Sequence, residues 1–107
     1  MNSIQEISKL IEREFVKIVD ARAETQGLKK QEFAQLIWPE MDSKSASSKW
    51  TSIRKRSSKT GRPQGLLMED GLTMAAVLGT EYIYLLAQAR LSVESKLERR
   101  QENTENS

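Results

Sequence analysis

A chain of 107 residues, 37% hydrophobic and 30% charged, has room for one compact domain with a modest core. It contains no cysteine and no histidine, which excludes disulfides, the usual zinc ligands and the Ser/His and Cys/His nucleophile pairs. The net charge of +2 conceals a segregation: residues 43–68 carry seven basic and no acidic side chains, and the rest of the chain nets −5.

In chain order, Ile4, Ile7, Leu10, Ile11, Phe15, Ile18 and Val19 recur at steps of three and four with Glu, Lys and Arg between them. This spacing predicts one long amphipathic helix over residues 3–25. Ser3 is its expected N-cap with Glu6 three residues on, and Gly27 its expected left-handed terminator. A short helix over 29–38 follows, with Phe33, Ala34, Leu36 and Ile37 as its apolar stripe and Pro39 as its stop. A serine-rich helix over 43–54 comes next, capped by Asp42 or Ser43, its apolar positions confined to Ala46, Trp50 and Ile53 at i, i+4 and i+7. Residues 56–65 have turn composition and read as a long loop. Helical pattern resumes near Met68 and runs through Leu72, Ala75, Ala76, Val77 and Leu78 to Gly79. A last helix starts at Thr80 or Glu81 on Ile83, Leu86, Val93 and Leu97, and residues 98–107 have the polar composition of a disordered tail. Trp38 and Trp50 fall on apolar faces and are expected in the core rather than as base-stacking platforms, and Met68 and Met74 are expected to pack. No strand pattern is visible, so the fold class is all-α.

The unit of helix, turn and helix between Lys29 and Arg54 has the polarity of a helix-turn-helix. Such a unit needs a first helix packed on the core and a second with a small, polar, basic outer face. Stepping by about 100° per residue from Ala46 turns Lys44, Ser48, Thr51, Ser52 and Lys55 outward and puts Ser47 and Arg54 on a flank. Short hydroxyl side chains permit close approach to a major groove, and Lys and Arg reach guanine edges or phosphates. A merely solvated helix usually mixes Glu with Lys, and none lies within this one.

Three stretches resemble the lambda-repressor-like, or XRE-type, helix-turn-helix family of phage and prophage regulators, over about residues 15–86. They are Ile18-Val19-Asp20-Ala21-Arg22 leading to Gly27, Lys30-Gln31-Glu32-Phe33-Ala34-Gln35-Leu36, and Met74-Ala75-Ala76-Val77-Leu78-Gly79. The resemblance implies a five-helix domain, here with extended N- and C-terminal helices, that binds operator DNA as a dimer. Gln31 then resembles the phosphate-contacting residue at the start of the second helix, and Ser47, Ser48 and Thr51 resemble base-reading positions. The chain departs from the family pattern in the turn Trp38-Pro39-Glu40-Met41-Asp42, which is longer and lacks the usual Gly, and in the expanded basic loop after the second helix.

The expectation is a single DNA-binding domain over residues 1–97 acting as a transcriptional regulator, a repressor in the family's manner. Its DNA-binding set is Gln31, Lys44, Ser47, Ser48, Thr51, Ser52, Arg54, Lys55, Lys59 and Arg62. The loop from Lys55 to Arg62 is read as a phosphate clamp, with a minor-groove Arg62 or a linker without contacts as its alternatives. The partners expected are double-stranded DNA and a second copy of the chain. The alternative to a dimer is packing of the first helix on the last within one chain. An antitoxin-like module that binds a protein partner and DNA only secondarily is a second functional reading, and RNA or non-specific nucleic-acid binding through the basic loop is a third. Neither cofactor nor metal is expected, nor enzymatic activity, since the carboxylates lie at helical spacing among Lys and Arg. The absence of 18 consecutive apolar residues and of a basic stretch before an apolar run predicts no membrane span and no secretory signal, and hence a cytoplasmic location.

Overall fold

A computed structural model describes residues 3–55 and 65–105. Among them are five α-helices and no strand: α1 (Ile4–Thr25), α2 (Lys30–Ile37), α3 (Ser43–Arg54), α4 (Met68–Val77) and α5 (Tyr82–Glu105). The all-α class expected from the periodicity is the one observed.

Local chemistry sets the helix ends. The Ser3 hydroxyl accepts the Glu6 backbone N–H at 3.2 Å and opens α1. Gly27, with φ of +77°, closes it: the Gly27 N–H donates to the Glu24 carbonyl at 2.9 Å and the Leu28 N–H to the Ala23 carbonyl at 2.9 Å. That pair of bonds is the Schellman arrangement, which needs the left-handed backbone glycine adopts without strain. Gly79 ends α4 in the same way, with φ of +73°. Its N–H donates to Ala76 and that of Thr80 to Ala75.

The core is one cluster to which every helix contributes. Phe15, Val19 and Ala23 come from α1, Phe33, Ala34 and Ile37 from α2, Ala46, Trp50 and Ile53 from α3, Met74 and Ala75 from α4, and Leu85 and Ala89 from α5. α1 and α5 lie along each other, α2 packs on α3, and α4 bridges α2 and α5. Glu14 of α1 accepts from Ser92 at 2.9 Å and from Lys96 at 3.0 Å on α5. Burial alone would raise the Glu14 carboxyl, but those hydrogen bonds and the charges of Lys96 and Lys17 outweigh it and hold it below the usual range. The first and last helices therefore do pack within one chain. No single helix among the described residues is long and apolar enough to cross a membrane.

Several expected core positions are exposed instead: Ile4, Leu10, Leu36, Met68, Leu72 and Ile83. In each case the helix is amphipathic, but the covered arc is narrower than its apolar residues. Gly71, Met74 and Ala75 turn α4 inward, which leaves Met68 and Leu72 outside. On α5 the inner face is Leu85, Ala89 and Val93, so Ile83 points away from it. α5 also continues through Glu105, past the break expected at Glu98.

Candidate nucleic-acid interface

α3 has the bounds its sequence predicts, and both ends are tied down. At the start, the Asp42 carboxylate accepts the Ser45 backbone N–H at 2.7 Å and the Ser45 hydroxyl at 3.1 Å. The backbone bond, reinforced by the hydroxyl, holds the Asp42 carboxyl below its ordinary range. At the other end the Arg13 guanidinium of α1 donates to the Ile53 carbonyl oxygen and also pairs with Glu12 at 2.8 Å. A cation there meets the negative end of the helix dipole and satisfies one of its orphan carbonyls.

The inner stripe is as expected. Ala46, Trp50 and Ile53 are all but fully buried, and the Trp50 ring packs against Phe33 with centroids 5.4 Å apart. Trp38 is also buried, and its indole N–H donates to Asp70 of α4 at 3.1 Å. Both tryptophans are core residues. The long turn before α3 owes its shape to Gln35, whose side-chain amide donates to the carbonyls of Trp38 at 3.3 Å and Met41 at 2.8 Å. The Met41 N–H closes back on Trp38 at 3.1 Å. This polar clamp takes the place of a glycine turn.

On the outer side, Lys44, Ser48, Thr51 and Lys55 are exposed. Ser52 is half-buried and its hydroxyl donates to the Ser48 carbonyl at 3.0 Å. Arg54 is also half-buried; its guanidinium lies 5.5 Å from the Trp50 ring centroid and donates to the Thr51 hydroxyl at 3.4 Å. The Ser47 hydroxyl, the Trp50 indole nitrogen and Arg54 Nε are buried with no hydrogen-bond partner among the described residues. Gln31 is exposed on the first turn of α2 and shares a shallow depression of about 410 Å³ with Glu32, Gln35, Leu36 and Ser43. The start of α2 and the start of α3 thus border one surface. Lys59 and Arg62, with the rest of the basic loop over 56–64, lie outside the described residues.

Lys49, one of the seven cations of the basic segment, is directed elsewhere. It sits 4.0 Å from the Asp70 carboxylate and 4.9 Å from the Trp38 ring centroid, joining α2, α3 and α4. Arg13, Gln35 and Asp70 were not among the expected site residues. Each acts on α3 or the turn before it, and only Gln35 is close enough in sequence for a local signal. No protein-family model, curated protein or solved structure matches this chain.

Proposed function

We propose that the protein is a sequence-specific DNA-binding regulator that reads duplex DNA with α3, in the manner of a lambda-repressor-like helix-turn-helix. One observation carries the reading. α3 is anchored by three buried apolar residues and turns outward a face of Lys44, Ser48, Thr51 and Lys55 with no carboxylate inside the helix. Anchoring fixes the geometry, and small hydroxyls flanked by cations suit a groove lined with base edges and phosphates.

In this reading Ser48 and Thr51 contact bases, Lys44, Lys55 and Gln31 hold phosphates, and Lys59 and Arg62 of the loop clamp the flanking backbone. Ser47, Ser52 and Arg54 shape the flank of the helix and reach the DNA only where their side chains turn out. The chain acts as a homodimer on a near-palindromic site, because one helix offers few base contacts and two-fold repetition multiplies them. Repression by operator occupancy and a cytoplasmic location go with it.

Selection of binding sites from random duplex DNA, repeated with variants, tests the proposal. Ser48→Ala with Thr51→Ala should change the preferred sequence. Lys59→Ala with Arg62→Ala should weaken all sites alike and lower the salt dependence, by about one unit of slope per lost phosphate contact. Equal effects from the two pairs, or wild-type binding that ignores sequence altogether, would overturn it.

A further inference from the structure

Among the described residues, three buried side-chain polar atoms stand without a hydrogen-bond partner: the Ser47 hydroxyl, the Trp50 indole nitrogen and Arg54 Nε. All three belong to α3. Stepping by about 100° per residue puts them on one flank of it, within about 60° of one another. That flank lies between the apolar stripe and the outer face. Ser43 falls on it too, and Ser43 borders the depression that it shares with Gln31 at the start of α2. Buried polar groups without partners are rare in folded proteins, and three along one edge of one helix point to one missing partner.

The chemistry of the cluster defines that partner. An indole N–H and a guanidinium Nε–H donate and cannot accept, and a serine hydroxyl does either. The missing group is therefore an acceptor. Nothing in α3 supplies an anionic one, since the helix contains no acid. Among the described residues, Arg54 is held by a 3.4 Å bond to the Thr51 hydroxyl and by the Trp50 ring, 5.5 Å away. We infer that the three donors form a seat for a backbone phosphate of bound DNA, which accepts from the Trp50 indole N–H, from Arg54 and from the Ser47 hydroxyl. Arg54 is the part that moves. It is half-buried and its one hydrogen bond is long, so its side chain turns from the ring toward the phosphate and opens that edge of the indole. The anionic oxygens of a phosphodiester make charge-assisted bonds with such donors, the strong kind. The donors are already stripped of water in the free protein, so binding does not have to desolvate them. This inference rests on the DNA-binding reading of α3 and deepens it: Trp50, otherwise a core residue, becomes a phosphate ligand.

NMR of isotope-labelled indole N–H groups tests the seat directly. The chain has two tryptophans, and Trp38, whose N–H donates to Asp70 at 3.1 Å, is a built-in reference. In the free protein the Trp50 indole proton should resonate upfield of the Trp38 proton, as an unbonded N–H does. A duplex carrying the selected site should move Trp50 downfield and leave Trp38 in place. Ser47→Ala should bind that duplex about tenfold more weakly at an unchanged salt slope, while melting no lower than wild type. A merely structural serine would not separate the two effects. Trp50→Phe, with circular dichroism to check its fold, should lose about ten- to a hundredfold in affinity, again at constant slope, because the lost donor is neutral. Arg54→Ala should also flatten the slope by about one unit. A Trp50 proton already downfield in the free protein, bonded to a water or to the rest of the chain, overturns the inference. So does a duplex-bound chain whose Trp50 proton has not moved, or a Ser47→Ala chain that binds as wild type. In those cases sequence-specific binding survives and the reading of α3 with it; a chain that binds no duplex loses both.

Discussion

Arg13 lies 40 positions before Ile53 in sequence, yet its guanidinium holds the carbonyl at the last turn of α3. A hydrogen bond from a charged donor contributes about 1.5–3 kcal/mol when its partner would otherwise be left unsatisfied, and the helix dipole adds a few tenths. The side chain is a quarter exposed, which places the expected loss for Arg13→Ala at the lower end, about 1–2 kcal/mol. A lysine reaches one carbonyl but not the carbonyl and Glu12 in a planar fork, so Arg13→Lys should recover only part of it. Urea denaturation midpoints of the three proteins check the order. Ser47 runs the other way. Its hydroxyl is buried without a partner among the described residues, and serine is a poorer helix former than alanine. Ser47→Ala should therefore raise the melting temperature, with a gain of about 0.5–1 kcal/mol. A lower melting temperature would mean that the hydroxyl is satisfied in solution.

Asp42 determines how α3 as an element responds to acid. Its carboxyl is held below the ordinary aspartate value of 3.8 by the Ser45 backbone N–H and hydroxyl. A carboxyl depressed on folding contributes its stabilisation above the unfolded-state value and loses it as pH falls through the folded-state value. Asp42→Asn keeps an acceptor for the Ser45 N–H but cannot ionise. The stability difference between wild type and Asp42→Asn should thus be full near neutrality and vanish as pH drops from about 5 to about 2. Thermal melts of both proteins across that range measure it. A difference that does not change with pH would place the stabilisation in the hydrogen bond alone.

The same helix shows what periodicity can and cannot tell. α3 was legible to the residue because its apolar positions are only three and lie on one narrow stripe, so one orientation buries them all. α5 was not. Apolar residues run most of the way round it, and Ile83, Leu86, Val93 and Leu97 form as good a three-and-four pattern as Leu85, Ala89 and Val93. Only packing against α1 and α4 decides which set is inside. Arg13 and Asp70 were hidden for a related reason. Their partners on α3 and on α2 are brought near by the fold and by no local spacing.

For the whole molecule, charge is the property that a binding experiment reads most directly. Seven cations stand in residues 43–68 without an acid, in a chain whose remainder is net negative. The structure removes one of the seven, since Lys49 faces Asp70 at 4.0 Å and covers the Trp38 ring. At most six are then left for phosphates in each copy, with Arg54 half-buried over the Trp50 ring and Arg56, Lys59 and Arg62 outside the described residues. Each phosphate neutralised contributes about −0.9 to the slope of log K against log salt, so a single copy on duplex DNA has a ceiling near −5. Acidic residues elsewhere repel the polyanion and keep other faces from adding to it. There is no histidine to titrate near neutrality, so the affinity at fixed salt should be flat between about pH 6 and 8. Fluorescence anisotropy with a labelled duplex, titrated over salt at several pH values, gives both quantities. A slope per copy clearly steeper than the ceiling would require cations from outside residues 43–68, such as Lys29 beside Gln31, and would widen the binding surface beyond α3 and its loop. Lys49→Ala offers an internal control: it should cost stability through Asp70 and Trp38 while leaving the salt slope unchanged.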